Sequence, residues 1–232
     1  MKTVLVTGGV RGIGEAIAQA FLRKGYRVCA VYSKDEESAK KIALEGVEVF
    51  RTDVANEGEV KALFKQIGDV DVLVNNAGVS LVKQIQDTTF AEFNRVMSIN
   101  LGGAFLCSRE AAKGMIDKRN GLIVIISSVW GEVGGSCESV YSASKSALIG
   151  FTKALAKELG WSGVRVNCVS PGVIDTAMNA RFSAEDMQSL VNEIPMGRLG
   201  SGEDVAKAVV YLEENEYVTG VDIPVNGGFS IV

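Results

Sequence analysis

The chain has 232 residues, 47% apolar and 22% charged, with a net charge of −4 and no histidine. Those proportions suit one soluble globular domain that buries roughly 70–75% of its unfolded surface. There is no basic run to draw nucleic acid, no apolar stretch near the roughly 20 residues that span a bilayer, and the apolar run in "MKTVLVTGG" is too short for a signal peptide, so the expectation is a cytoplasmic protein without nucleic-acid or membrane partners.

In chain order, "TVLV" is a strand, followed by a glycine-rich turn and a helix over 12–24. "RVCAVY" and a helix over 35–45 come next, then "VEVF" and a helix over 56–67. "DVLV" leads to a long helical segment over 90–117, "LIVIIS" to one over 139–160, and "VRVNCV" to one over 202–214, before a last strand, "VDIPV". The strand runs are continuously apolar, as strands covered on both faces should be. Alternation of this kind predicts an α/β fold, a doubly wound parallel sheet with helices on both faces. No linker or repeat divides the chain, so residues 1–232 read as a single domain.

Cys29, Cys107, Cys137 and Cys168 lie at wide, irregular intervals with no CxxC pair. With no histidine beside them, no zinc site of the usual ligand types is expected, and a Ser-His-acid nucleophile is excluded. Three of the four sit in apolar segments as small core residues. Cys137, four residues before Tyr141, reads as part of a pocket wall.

Ligands of such sheets bind at the carboxyl ends of the strands. Directly after the first strand, Gly8, Gly12 and Gly14 in "TGGVRGIGEAIA" permit a tight turn, close approach to a pyrophosphate and the start of a helix whose N–H groups face the anion. At the end of the second strand an NAD site wants an acid, whereas a 2′-phosphate wants cations. Ser33 and Lys34, with Arg11 from the glycine turn, favour NADP(H) over NAD(H). Asp35, Glu36 and Glu37 follow, and serve the first turn of the next helix. Asp53, with Val54 beside it, is placed to meet an adenine or to cap a helix. Asn76, Ala77 and Gly78, in "NNAG", either face the same ligand or make a plain turn.

Tyr141 and Lys145 in "YSASK" share a helix face. A phenol of pKa about 10 is a poor acid at neutral pH unless its anion is stabilised, and a neighbouring ammonium does that. The pair suits a proton donor or acceptor where a histidine would otherwise serve. Ser128, ending "IISS", can hydrogen-bond the same substrate oxygen. Asn100, in "SINLGG", is either a satisfied core amide or the holder of a water that passes protons to Lys145.

Together "TGGVRGIG", "NNAG", Asn100, Ser128, "YSASK" and "SPGVIDT" resemble the classical short-chain dehydrogenase/reductase family, in order and spacing, from residue 2 to "VNGG" near the end. The resemblance implies a Rossmann-type domain, a nicotinamide cofactor, and a tetrad in which Tyr141 is the general acid/base. Lys145 would lower its pKa and grip the nicotinamide ribose, Ser128 would orient the carbonyl, and Asn100 would support the proton relay. It also implies that Ile13 joins the glycine turn at the cofactor, that the backbone of Pro171, Gly172 and Ile174 approaches the carboxamide with Thr176 near the pyrophosphate, and that the protein is a homotetramer. Retention of all four tetrad residues favours an enzyme over a cofactor-binding regulator.

Within the family the chain is most similar to bacterial 3-oxoacyl-[acyl-carrier-protein] reductases, through "NCVSPGVIDTAMN" and "IPMGRLGSGEDVAKAVVYL". That likeness implies carrier-protein docking through Arg119, although Ser162 stands where a second basic residue is expected. A second subgroup is resembled by "SSVWGEVGGSCESVYSASK": reductases of an aminoketone-modified lysine, the 5-aminopentanone group of elongation factor P. Glu132 and Glu138 would then flank the tyrosine and favour a cationic amine, or else belong to a solvated loop. Trp130, Cys137, Glu138 and Met178 are the substrate residues expected. A lid over about 177–200 would present Met178, Phe182, Met187 and Leu190, or the same residues would pack as an ordinary helix.

Overall fold

A computed structural model describes residues 1–176 and 183–231. Its sheet has seven parallel strands among the described residues: β1 (Thr3–Thr7), β2 (Arg27–Tyr32), β3 (Glu48–Arg51), β4 (Val72–Asn75), β5 (Gly121–Ile126), β6 (Val164–Pro171) and β7 (Asp222–Val225). They lie in the order β3-β2-β1-β4-β5-β6-β7. The direction of winding therefore reverses between β1 and β4, and the crevice outside their carboxyl ends is where such sheets bind ligands.

The two faces divide the strand residues by alternation. Val4, Val6, Val28, Ala30, Val72, Val74, Leu122 and Val124 join Ile17, Phe21, Ile42 and Val205, which come from α1 (Gly12–Arg23), α2 (Glu36–Ala43) and α9 (Gly202–Glu214). Leu5, Cys29, Leu73, Ile123 and Ile125 join Val60, Leu63, Met115 and Leu148 on the other face, from α3 (Glu57–Ile67), α5 (Gly103–Lys118) and α7 (Ser139–Leu159). Burial on both faces is the reason these strands show no polar alternation.

The long segment expected over 90–117 is interrupted. It forms α4 (Phe90–Met97), a π-turn over Ser98–Gly102 and α5. A wide turn of this sort moves one residue out of helical register, and such turns are frequent at functional sites. Asn100 occupies it, 1% exposed. One short element was not anticipated, α6 (Val129–Val133) shortly after β5, and the expected lid contains a helix, α8 (Ala184–Glu193). Asp35 caps α2 by accepting the Ser38 N–H at 3.1 Å. Asn56, and not Asp53, caps α3, accepting from Gly58 and Glu59 N–H groups at 2.9 and 3.2 Å.

At the switch point, Thr7 and Asn76 stitch β1 to β4. The Thr7 hydroxyl accepts from the N–H groups of Asn76 and Ala77, both at 3.0 Å. Asn76 Nδ2 donates to the carbonyls of Thr7 and Gly8, each at 3.0 Å. The glycine turn is thereby held on its inner side, with Gly8 at φ +62°. A Cβ on Gly14 would stand 2.1 Å from the Gly8 carbonyl oxygen and 2.6 Å from Asn76 Nδ2, so even one methyl group forces the turn open. Gly14→Ala is expected to lower stability in urea unfolding by about 1–3 kcal/mol; an unchanged midpoint would contradict this packing.

Candidate active site

Two adjoining cavities open at the carboxyl edge. The larger, about 990 Å³, runs from the glycine turn to the end of β3 and is lined by Gly8, Arg11, Gly12, Ile13, Gly14, Ser33, Lys34, Asp53, Val54, Asn76, Ala77, Gly78 and Thr176. The smaller, about 500 Å³, is lined by Ser128, Trp130, Glu138, Tyr141, Lys145, Pro171, Gly172 and Ile174. Ile13, Asn76, Gly78 and Thr176 border both. The residues expected around a cofactor therefore meet along one continuous surface, although they come from six separate stretches of chain.

The cradle fits a dinucleotide. Gly12 comes close to Thr176: a Cβ there would lie 3.3 Å from its Cγ2, so a bulkier residue would narrow the channel where the cavities join. At the end of β2, Ser33 and Lys34 line the wall. Arg11 reaches across to Asp35 at 3.4 Å. The Ser38 N–H, with a further contribution from Arg11, holds the Asp35 carboxyl below the usual carboxylate range. Asp35 is thus a helix cap paired to a cation. Asp53 lines the cavity and folds back on its own loop, its Oδ1 accepting the Ala55 N–H at 3.0 Å.

In the smaller cavity, Tyr141 and Lys145 sit one turn apart on α7, 8% and 4% exposed. Lys145 Nζ lies 5.6 Å from the Tyr141 ring centroid and donates to the Ile126 carbonyl at 2.8 Å. Burial brings the ammonium down from 10.5 to about 8. Cys168 nearby would oppose that only as a thiolate, and burial, with Asp222 adding to it, keeps the thiol protonated. Ser128 caps α6, its Oγ accepting the Trp130 N–H at 3.2 Å, which leaves the hydroxyl hydrogen to be donated into the cavity it lines. A desolvated ammonium beside a phenol, with a hydroxyl donor on the same cavity, can hold a carbonyl oxygen and deliver a proton to it.

Asn100 is a satisfied core amide. Its Oδ1 accepts the Val79 N–H at 2.8 Å, and its Nδ2 donates to the Val79 carbonyl at 3.0 Å and to Ser144 Oγ at 2.9 Å. Both side-chain hydrogens are therefore spent on protein. Two residues escaped the sequence reading. Ser127 donates to the Lys145 carbonyl at 2.8 Å, and Ser144 to the Tyr141 carbonyl at 2.7 Å. The signal was available for Ser144, which interrupts the apolar ridge Val140, Leu148 and Ala156, all buried on α7.

Cys137 departs from its expected place. Cys137 is exposed and does not line the cavity, where Ser136 and Glu138 on either side of it do. It takes a left-handed conformation at φ +59°, and its carbonyl accepts the Lys83 N–H at 2.6 Å. Arg119 precedes β5 at the opposite edge of the sheet, about 20 Å of strand from Ser128, and donates to the Trp161 carbonyl at 3.0 Å. Glu132, on α6, does not line the cavity. Of the expected lid, Met178 and Phe182 lie outside the described residues. On α8 the cavity wall is Asp186, Ser189, Leu190 and Glu193, so the helix turns a mixed face inward, and of its two anticipated apolar residues Leu190 contributes and Met187 does not.

No helix among the described residues is long and apolar enough to cross a membrane. A family profile described as enoyl-(acyl carrier protein) reductase matches residues 8–230. Full-length likeness extends to the uncharacterized oxidoreductase YmfI of Bacillus subtilis, 36% identical over 98% of each chain. The 3-oxoacyl-[acyl-carrier-protein] reductase FabG of Staphylococcus aureus is 38% identical over 98% of this chain and 97% of its own. Carbonyl reductase family member 4 of Xenopus laevis is 39% identical over 99% and 98%. With a parallel sheet wound about the β1/β4 switch point and this likeness along its whole length, the chain belongs to the short-chain dehydrogenase/reductase family of oxidoreductases.

Proposed function

We propose that the protein is an NADPH-dependent carbonyl reductase that converts a 3-oxoacyl thioester, carried on acyl carrier protein, into its 3-hydroxyacyl form. The observation that carries the reduction chemistry is the buried Tyr141–Lys145 pair on a cavity that also holds Ser128. When bound, the nicotinamide cofactor supplies the hydride. Ser128 donates its hydroxyl hydrogen to the substrate carbonyl and fixes its orientation. Tyr141 gives a proton to the same oxygen as the carbon is reduced, and the Lys145 ammonium stabilises the phenolate left behind. Among the cavity-lining residues at the end of β2, Arg11 and Lys34 outnumber the acid Asp35, which supports a 2′-phosphate and hence NADP(H) over NAD(H).

The thioester is supported by the names of the Staphylococcus and Salmonella relatives. We place the enzyme in the cytoplasm as a homotetramer. Exposed Phe90 and Phe105 (75% and 46%) and the stacked Phe90–Phe93 pair support association through α4 and α5. Because Arg119 lies at the far edge of its own sheet, a carrier protein gripped there would serve a neighbouring copy's cavity.

One observation favours a second substrate. Glu138, Asp186 and Glu193 line the smaller cavity, and Lys145 is the one cation among its described lining residues. An anionic wall complements a ketone bearing a cationic amine, such as the aminopentanone group on elongation factor P. Initial rates with NADPH and NADH, on a carrier-bound 3-oxoacyl thioester and on an aminoketone, separate the two readings. Faster turnover of the thioester supports the first, and preference for the aminoketone supports the second.

Tyr141→Phe is expected to abolish turnover while NADPH binding, followed by cofactor fluorescence, stays within about twofold, because only the proton donor is lost; retained turnover would remove Tyr141 from the mechanism. Glu138→Gln should narrow the preference for amine-bearing over neutral ketones roughly 5- to 30-fold, the equivalent of about 1–2 kcal/mol; unchanged discrimination would defeat the second reading. Lys145 sets a pH dependence. Between about pH 8 and the ordinary lysine value of 10.5 the unfolded chain keeps a proton that the folded chain has released, so the unfavourable contribution of this group fades as pH rises. The stability of the wild type relative to Lys145→Met, from urea unfolding, should therefore rise across that window, and a flat difference would show that the ammonium is not desolvated.

A further inference from the structure

Ser144 lies at the meeting point of three elements. It is fully buried at 0% exposure on α7, between Tyr141 and Lys145. Its Oγ donates to the Tyr141 carbonyl at 2.7 Å and accepts from Asn100 Nδ2 at 2.9 Å. Asn100 in turn holds both polar groups of the Val79 backbone, at 2.8 and 3.0 Å. Val79 belongs to the chain leaving β4, directly after Gly78. A Cβ on Gly78 would meet Asn100 Oδ1 at 3.3 Å and Lys145 Nζ at 3.5 Å, so this junction adjoins the lysine ammonium.

A buried serine in a helix ordinarily spends its hydroxyl on a carbonyl of the preceding turn, a bond that does little for the helix. Thr152 on the same helix is an internal comparison: it is 1% exposed and its Oγ1 donates to the Leu148 carbonyl at 2.9 Å. Ser144 differs because its lone pair receives the amide of the π-turn. Without that acceptor, Asn100 would keep a buried N–H with no protein partner, and the turn would lose its only described side-chain bond to α7.

We propose that Ser144 is a positioning residue: it locks the Asn100 turn to α7 and so holds Tyr141 and Lys145 in the register that lets the ammonium stabilise the phenolate. This rests on Tyr141 as the proton donor of the proposed reductase. Losing the lock lets the ammonium drift from the phenol, and a misplacement of the order of 1 Å at such a pair costs rate steeply.

The test is an ultraviolet titration of tyrosinate in the cofactor-free protein, in which the Tyr141 step is isolated by subtracting Tyr141→Phe. Ser144→Ala should raise that step by about 0.5 pH unit or more and lower kcat roughly tenfold or more, with KM for NADPH within about twofold. Ser144→Thr, which keeps a hydroxyl, should restore both. Thr152→Val should lower the melting temperature but leave the step in place, which separates positioning from general loosening of the helix. If Ser144→Ala does not fold, Ser144→Cys is read by the same criteria, since it fills the site with a weak acceptor. A Tyr141 step and kcat that stay at wild-type values in the folded variant overturn the proposal while Tyr141→Phe still abolishes turnover. Turnover that survives Tyr141→Phe overturns the reductase reading, and this proposal with it.

Discussion

An ammonium buried with no carboxylate partner among the described residues is the constraint around which this structure is arranged. Lys145 is 4% exposed, and among the described residues it donates to one backbone carbonyl, that of Ile126 at the end of β5. Removing such a charge from water is costly, and the cost appears as its pKa falling to about 8. An ion pair would relieve that cost but would also consume the charge. A carbonyl dipole and a neighbouring phenol leave the charge able to act on the phenol when its proton departs. The cost is tolerable because Lys145 extends from a 21-residue helix whose apolar ridge is packed against the sheet.

Positioning then follows from where backbone groups are tied. The end of β5 meets α7 through Ser127 on the Lys145 carbonyl and Lys145 on the Ile126 carbonyl. The end of β1 meets β4 through Thr7 and Asn76. Both ties sit at carboxyl ends of central strands, where neighbouring chains diverge and their backbone groups would otherwise face the crevice unpaired. Closing them with short polar side chains leaves the crevice walls rigid. That is what a site needs if its donors are to point at a reacting oxygen before substrate arrives.

Much of this was legible in the sequence because it depends on local pattern. Strands such as "LIVIIS" are apolar throughout because Leu122, Val124 and Ile126 face one helix layer and Ile123 and Ile125 the other. The glycine turn, Ser128 and the Tyr141–Lys145 spacing are fixed over a few residues, and the structure brings them to one edge. What was missed depends on partners distant in sequence. The π-turn at Ser98–Gly102 looks like ordinary helix until Val79 and Ser144 are placed around Asn100. Cys137 seemed a wall residue from its distance to Tyr141, but a left-handed backbone at φ +59° leaves its thiol exposed. The α8 residues were grouped by hydrophobicity, whereas Asp186, Ser189, Leu190 and Glu193 share the inward face by helical spacing.

The charges around the smaller cavity fall into two groups that act on different things. Lys145 owes its lowered pKa to burial, and no carboxylate contributes. Glu138, Asp186 and Glu193 line the same space without setting the protonation of the lysine. A negative wall disfavours a substrate that brings anionic charge to it and favours one that brings a cation, while an uncharged acyl chain is indifferent to it. In the proposed reductase, catalytic tuning and substrate selection would rest on separate groups, so that a change in the wall would alter the preferred ketone without disturbing the proton donor.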